Sequence, residues 1–434
     1  MKPSRSSLLL LEKMALNKRG SSKGMYSVCS ANKYVLMASM EKAKEEGSSL
    51  LIEATCNQVN QFGGYTGMNP EGFVAYIHSI AAEKEFPVER LILGGDHLGP
   101  YPWIDKPAAI AMDNSIQMVK DYANAGFQKI HIDASMFCGD DDRSRPMSKE
   151  LSAERASLLC SALERTTGES SGNPLPIYVI GTEVPLPGGQ QEVSEEVQVT
   201  SVNDVRETLS IFQYQFKKDG LAAVWERVIA VVVQPGVEFG ENEIVEYKPD
   251  QAIHLKQFIE TVTGIVYEAH STDYQTRSNL RKMVEDHFAI LKVGPALTFA
   301  FREAVIGLHH IEDELFGSKP DILKSDLVNI IKRGMDAHPE NWAKYLQGSD
   351  EIEVMKIFGY SDRIRYYWNL PEIRSSLQIL MKNLRQKDIP LSLISQYLPD
   401  QYEHVREGLL EKDPEDLIID RIKDTLSDYS FACS

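Results

Sequence analysis

Asp96 and His97 stand side by side behind a Gly94-Gly95 pair, His131 and Asp133 stand two residues apart, and Glu268, His270 and Asp273 follow in one short run. Glu183, Gln234 and Lys292 complete the set of polar residues that close otherwise apolar runs. Imidazole nitrogens and carboxylate oxygens are the donors of an N/O cation site with open positions, the type that suits Zn²⁺ or Mn²⁺ acting as a Lewis acid. His97 and His270, with one or two of Glu183 and Gln234, are the candidate metal ligands. Asp96, Asp133 and Glu183 are the candidate proton-transfer groups, because a carboxylate beside a dication stays ionised, as a base requires. Glu53, Asn57, Gln58, Tyr65, Glu268, Asp273 and Lys292 are the candidate substrate contacts.

Each residue also has a plainer reading. A single histidine at a strand end is more often hydrogen-bonded structure than a ligand; His97 and His270 rise above that because acids surround both. His131 shares a strand face with Asp133, since strand side chains alternate with period two, and it is also readable as a partner behind a ligand. Lys292 is either a Schiff-base nucleophile or the counter-ion of Glu268 or Asp273. Gln234 is a poor ligand type, so hydrogen bonding to substrate is its alternative role. Cys138 with Asp140, Asp141 and Asp142 reads as a solvated acidic loop rather than a metal site.

The elements that must position these residues are legible as short apolar, β-branched runs at 26–29, 50–54, 91–94, 129–132, 177–180, 228–233, 265–268 and 289–293. Helical periodicity separates them, as at 108–125 and 153–166. Strand–helix alternation demands parallel strands with crossover helices, and eight such units predict a closed (β/α)₈ TIM-type barrel. No GxGxxG follows an early strand, which weakens a dinucleotide-binding fold, and no GxxxxGK[ST] loop occurs. In a barrel the strand C-termini form the mouth, which is where seven of the eight runs end in polar or ionisable residues. Long loops are expected at 58–70, 138–147 and 185–196, and the Gly-rich stretch around Tyr65 is readable as a substrate contact or as an ordered loop without one. From about Ala300 only helical patterns remain, at 307–316, 321–337 and 373–383. The expected organisation is a barrel over 1–300 and a helical extension packed on it over 301–434, not an independent domain.

Composition bounds the partners. The chain of 434 residues carries a formal charge of −17, which argues against nucleic acid or an anionic membrane surface as broad partners. Its five cysteines are odd in number and without CxxC spacing, so a reducing cytoplasm is the simpler setting. No apolar run approaches the roughly 20 residues of a membrane helix, and the 8–11 leucine run reads as one face of an amphipathic helix.

IEATCNQVNQFGGYTGM (52–68), ILGGDHLGP (92–100), YVIGTEVPLPGG (178–189), VVVQPGVEF (231–239), YEAHSTDYQT (267–276) and HFAILKVGPALTFAFREA (287–304) closely resemble the tagatose-bisphosphate aldolase Z-subunit family (GatZ/KbaZ). SDRIRYYW (361–368) and PLSLISQYLP (390–399) extend the resemblance over nearly the whole chain. It implies a barrel related to class II ketose-bisphosphate aldolases, in which Asp96-His97 resembles the proton-transfer Asp and ligand His, and His270 the last ligand histidine. Gln234 stands where those enzymes present another histidine. Ser271-Thr272-Asp273 stands where they carry a Gly-rich phosphate loop. The function expected is metal-dependent C4-directed chemistry on ketohexoses of the tagatose/fructose series: 4-epimerisation by retro-aldol and aldol steps. The alternative is a non-catalytic stabilising subunit of a class II tagatose-bisphosphate aldolase. Expected partners are a small sugar or sugar phosphate, a class II aldolase catalytic subunit under the alternative, and further copies of this chain.

Overall fold

The structure, a computed structural model, describes residues 3–169, 174–182, 197–346 and 351–434. Ten strands occur among these residues: β1 (Met25–Val28), β2 (Leu50–Thr55), β3 (Leu91–Leu98), β4 (Lys129–Ile132), β5 (Ile177–Ile180), β6 (Val228–Val232), β7 (Glu238–Phe239), β8 (Ile244–Val245), β9 (Val266–Ala269) and β10 (Phe288–Val293). Eight of them pair in parallel in the order β1-β10-β9-β6-β5-β4-β3-β2 and close back on β1; β7 and β8 form a small antiparallel ribbon apart. The fold is a (β/α)₈ barrel. Its strands coincide with the eight apolar runs to within a residue or two, except that β3 continues through the polar Asp96-His97 to Leu98.

The interior is layered, because alternate residues of each strand point inward. Leu51, Ile92, Ile177, Val179, Val266 and Ile290 form an apolar layer near the strand N-termini. Leu10 and Met14 of the helix Arg5–Lys18 join that layer, so the amphipathic leucine segment packs against the barrel's N-terminal end. Ser4 caps this helix by accepting from the Ser7 amide at 3.0 Å, and the Ser4 and Ser6 hydroxyls reach Gln128 Oε1 at 2.6 and 2.9 Å.

The last barrel helix runs Pro295–Phe316, straight through position 300. Its first turn lacks a cap from its own N-cap residue, Gly294. Asp273 supplies one instead: Oδ1 accepts from the Gly294 and Ala296 amides at 2.9 and 2.8 Å. Beyond it lie helices including Leu327–Ala337, Pro371–Arg385 and Pro414–Cys433. The first of these starts later than its sequence pattern, at an Asp326 with φ of 50°. Pro414–Cys433 packs on Lys33–Glu45, Arg277–Glu285 and Pro295–Phe316, and Tyr429 donates to the Thr272 carbonyl at 2.8 Å. All five cysteines are free, and among the described residues no helix is long and apolar enough to cross a membrane.

Candidate metal centre at the barrel mouth

The next interior layer is ionic. Glu53 on β2 and Glu268 on β9 clamp Lys129 on β4 at 2.7 and 2.6 Å, and all three side chains are fully buried. Lys292 on β10 lies 2.5 Å from Glu53, 3.0 Å from Asp96 and 3.9 Å from Glu268. Burial alone would lower the pKa of both lysines, but the surrounding carboxylates overcome it and hold both above the ordinary value. Gly94, paired in register with Glu53, makes room for this layer: a Cβ there would meet Glu53 Cγ at 2.6 Å.

Above it sits the histidine layer, built around an irregularity in β3. Gly95 pairs with Ile130 and Leu98 with Ile132, so Asp96 and His97 together oppose His131 alone. His97 takes φ of 51°, and this bulge turns two consecutive side chains toward one centre, which a regular strand cannot do. Gly99 follows because a Cβ at that point would lie 1.6 Å from the Asp133 carbonyl oxygen.

Ligand atoms of Asp96, His97, His131 and His270 all lie within 4.8 Å of one another, and all four residues are buried. The ring centroids of the three histidines are 4.8 to 5.3 Å apart. Each ring has a carboxylate on one nitrogen: His97 Nδ1 is 2.9 Å from Asp133 Oδ2, His131 Nδ1 is 2.8 Å from Asp96 Oδ1, and His270 Nε2 is 3.1 Å from Glu268 Oε1. Such partners fix the tautomer and orientation of a ligating imidazole. The buried His131 Nε2 has no hydrogen-bond partner. An orphaned nitrogen within a group of three imidazoles and a carboxylate fits a divalent cation. The charges agree. Lys129 and Lys292 offset two of the four carboxylates Glu53, Glu268, Asp96 and Asp133, so with the three imidazoles neutral, as ligands must be, a double negative charge remains for a dication to balance.

Burial raises the Asp96 carboxyl, but the His97 and Lys292 charges and the His131 hydrogen bond hold it well below the usual range. Burial likewise opposes ionisation of Asp133, yet the His97 hydrogen bond keeps it at about 2. Burial pushes His270 down to about 4 against its bond to Glu268, so this ring is neutral and a competent donor.

A cavity of about 110 Å³ opens over the centre. Asn57, Gln58, Tyr65, Asp96, His97, His270, Asp273 and Lys292, all singled out in the sequence, line it. Four others stand elsewhere. Glu53 and Glu268, expected at the substrate, lie in the ionic layer with no exposure and do not line the cavity. Asp133 is behind His97, its second oxygen held by Ser135 at 2.6 Å, so it orients a ring rather than facing a substrate. Gln234 does not line the cavity either; its Oε1 accepts from the Gly236 and Val237 amides at 2.8 and 3.0 Å, occupying the atom a metal would need. His131, readable as a ligand or as a partner behind one, takes a place in the cluster. Lys292 pairs with Glu268 at 3.9 Å, as one of its readings had it, and more closely with Glu53 and Asp96, but not with Asp273. Glu183, and the loop expected at 185–196, lie outside the described residues.

Lys129, Arg365 and Tyr366 belong to the site and carried no singled-out role. Lys129 had a signal, a lysine opening the short buried strand that also carries His131. Arg365 and Tyr366 come from the helical extension, and Tyr366 packs edge-on against Tyr65 at 4.9 Å.

Fold and site together define a (β/α)₈-barrel protein with a histidine–carboxylate centre at the C-terminal mouth. Residues 10–434 match the family described as D-tagatose-1,6-bisphosphate aldolase subunit GatZ/KbaZ-like, and the chain belongs to that family. It is 48% identical over 419 residues, covering 96% of this chain and 97% of the relative, to the D-tagatose-1,6-bisphosphate aldolase subunit GatZ of Klebsiella pneumoniae subsp. pneumoniae. The crystal structure of a probable tagatose 6 phosphate kinase from Sinorhizobium meliloti 1021 superposes with a TM-score of 0.86 at 42% identity, covering 95% of this chain and 100% of that one.

Proposed function

We propose that this chain serves as the GatZ-type subunit of a D-tagatose-1,6-bisphosphate aldolase. Family membership and the near-complete alignment with a subunit of that name support this reading. It requires a catalytic partner chain, which this subunit would stabilise.

A second reading, C4-directed catalysis by the chain itself, is favoured by one observation: three imidazoles and Asp96 are assembled, and Asp96, His97 and His270 of that group line a cavity. His97, His131 and His270 would hold a divalent cation, Zn²⁺ or Mn²⁺ by donor type, which would polarise the C2 carbonyl and C3 hydroxyl of a bound ketose. In a 2-ketose C4 is β to the carbonyl, so enolisation alone cannot invert it. Asp96 would take the C4 hydroxyl proton; C4 then becomes a carbonyl as the C3–C4 pair moves onto C3. Returning that proton while the bond forms on the other carbonyl face would complete an epimerisation; release of the fragments would complete an aldol cleavage. Lys292 keeps Asp96 ionised for this role. Asp133 and Glu268 hold the rings of His97 and His270.

Asp96→Asn, assayed twice, separates the two. If catalysis resides here, fructose–tagatose interconversion by the chain alone falls at least ~100-fold, the scale of a lost general base, while support of a partner aldolase persists. Absence of turnover by the wild-type chain on any ketohexose or its phosphates leaves the subunit reading alone.

A further inference from the structure

Beside the centre lies a second, larger chamber of about 860 Å³, formed between the helix Pro371–Arg385 and the loops that follow β1, β2 and β10. Gln58, Tyr65, Gly294, Pro295 and Arg365 border both spaces, so the chamber adjoins the histidine centre. Its walls carry five cations and, among the described residues, no carboxylate, in a chain whose formal charge is −17. Lys33 and Arg385 are paired outward, with Glu83 at 3.0 Å and Asp413 at 2.7 Å. Arg365, Arg374 and Lys382 form no ion pair among the described residues. Arg374, Gln378 and Lys382 recur every four residues and so share one helix face. Arg365 is anchored without a direct ion pair, although the Asp362 and Asp273 charges act on it: it donates to the Ser361 and Asp362 carbonyls and, at 2.9 Å, to the Tyr366 hydroxyl.

In barrels of this kind a phosphate commonly sits at the helix N-terminus near the last strands, where backbone amides face it. Here Asp273 already fills that role for the helix Pro295–Phe316, and a carboxylate there repels an anion. We propose that this chamber is an anion site that receives the phosphate-bearing end of a sugar phosphate whose carbonyl end reaches the histidine centre, with Arg365 as the innermost phosphate contact and Arg374 and Lys382 as the outer ones. A planar guanidinium matches phosphate oxygens bidentately, and a cavity walled by one sign of charge concentrates the opposite one. The inference rests on the aldolase-related reading only for the sugar that carries the phosphate.

The test is calorimetric titration of the full chain with fructose 1,6-bisphosphate, fructose, and a hexuronate, comparing wild type with Arg365→Gln and with Arg374→Glu/Lys382→Glu. The latter pair is exposed and forms no ion pair among the described residues, so that variant keeps the test open if Arg365→Gln disturbs the loop it anchors. Expected is a bisphosphate Kd well below that of fructose and weakened about tenfold or more in either variant, with bound-metal content unchanged. Equal bisphosphate affinity in wild type and the charge-reversed pair overturns the proposal, as does wild-type binding of fructose or the hexuronate as tight as that of the bisphosphate. Support of a partner aldolase is measured separately; its absence counts against the subunit reading and leaves the phosphate comparison intact.

Discussion

Gly94 faces Glu53 across neighbouring strands, and the hydrogen it carries in place of a side chain gives the Glu53 carboxylate its space inside the barrel. Gly94→Ala would press a methyl to 2.6 Å from Glu53 Cγ, and the carboxylate, held by Lys129 and Lys292, has nowhere to retreat. Expected is a loss of roughly 2–3 kcal/mol in denaturant unfolding, the scale of core overpacking. Gly168→Ala, where an added Cβ meets nothing within 4 Å, is the control and should be neutral or mildly stabilising.

Lys129→Met should be more severe. It leaves Glu53 and Glu268 facing each other, fully buried, without their shared cation. Removing one partner of a buried ion pair costs about 3–5 kcal/mol. Adding Glu268→Gln to that variant should recover part of the loss, and thermal unfolding of the single and double variants reads the difference.

Single His97→Ala, His131→Ala and His270→Ala variants should each lose bound divalent cation as measured by elemental analysis, with circular dichroism unchanged. Asp133→Asn keeps all three rings but loosens His97, and should weaken cation affinity by roughly 10–100-fold, the effect of a lost orienting partner. Full metal content in His131→Ala would remove that ring from the ligand set.

Glu238, buried beside Phe239 and Ser271, has its carboxyl pushed up to about 7, chiefly by burial. A carboxyl with a raised folded-state pKa binds its proton more tightly folded than unfolded. Stability is therefore withheld progressively as pH rises from about 4.5 toward about 7, and the penalty is complete above that. Glu238→Gln should match wild type near pH 4 and exceed it by about 3 kcal/mol at pH 8. Equal stability of the two proteins at both pH values would count against this account.

The barrel was legible because its signal is local: eight apolar runs of strand length alternating with helical periodicity admit few other folds. The mouth was legible for the same reason, since a strand's last residues must lie at one rim, and Asp96, His97 and His270 all do. Three things were decided only by tertiary structure. A regular period-two strand points Asp96 and His97 to opposite faces, and it takes the β3 bulge, set against β4, to bring both to one centre. Depth along the barrel axis has no sequence signature: Glu53 and Glu268 look like site residues until register places them one layer below it, against Lys129. Arg365 and Tyr366 reach the mouth from the helical extension, more than half the chain beyond Asn57 and Tyr65, and contacts that distant in sequence follow from packing rather than from any local pattern.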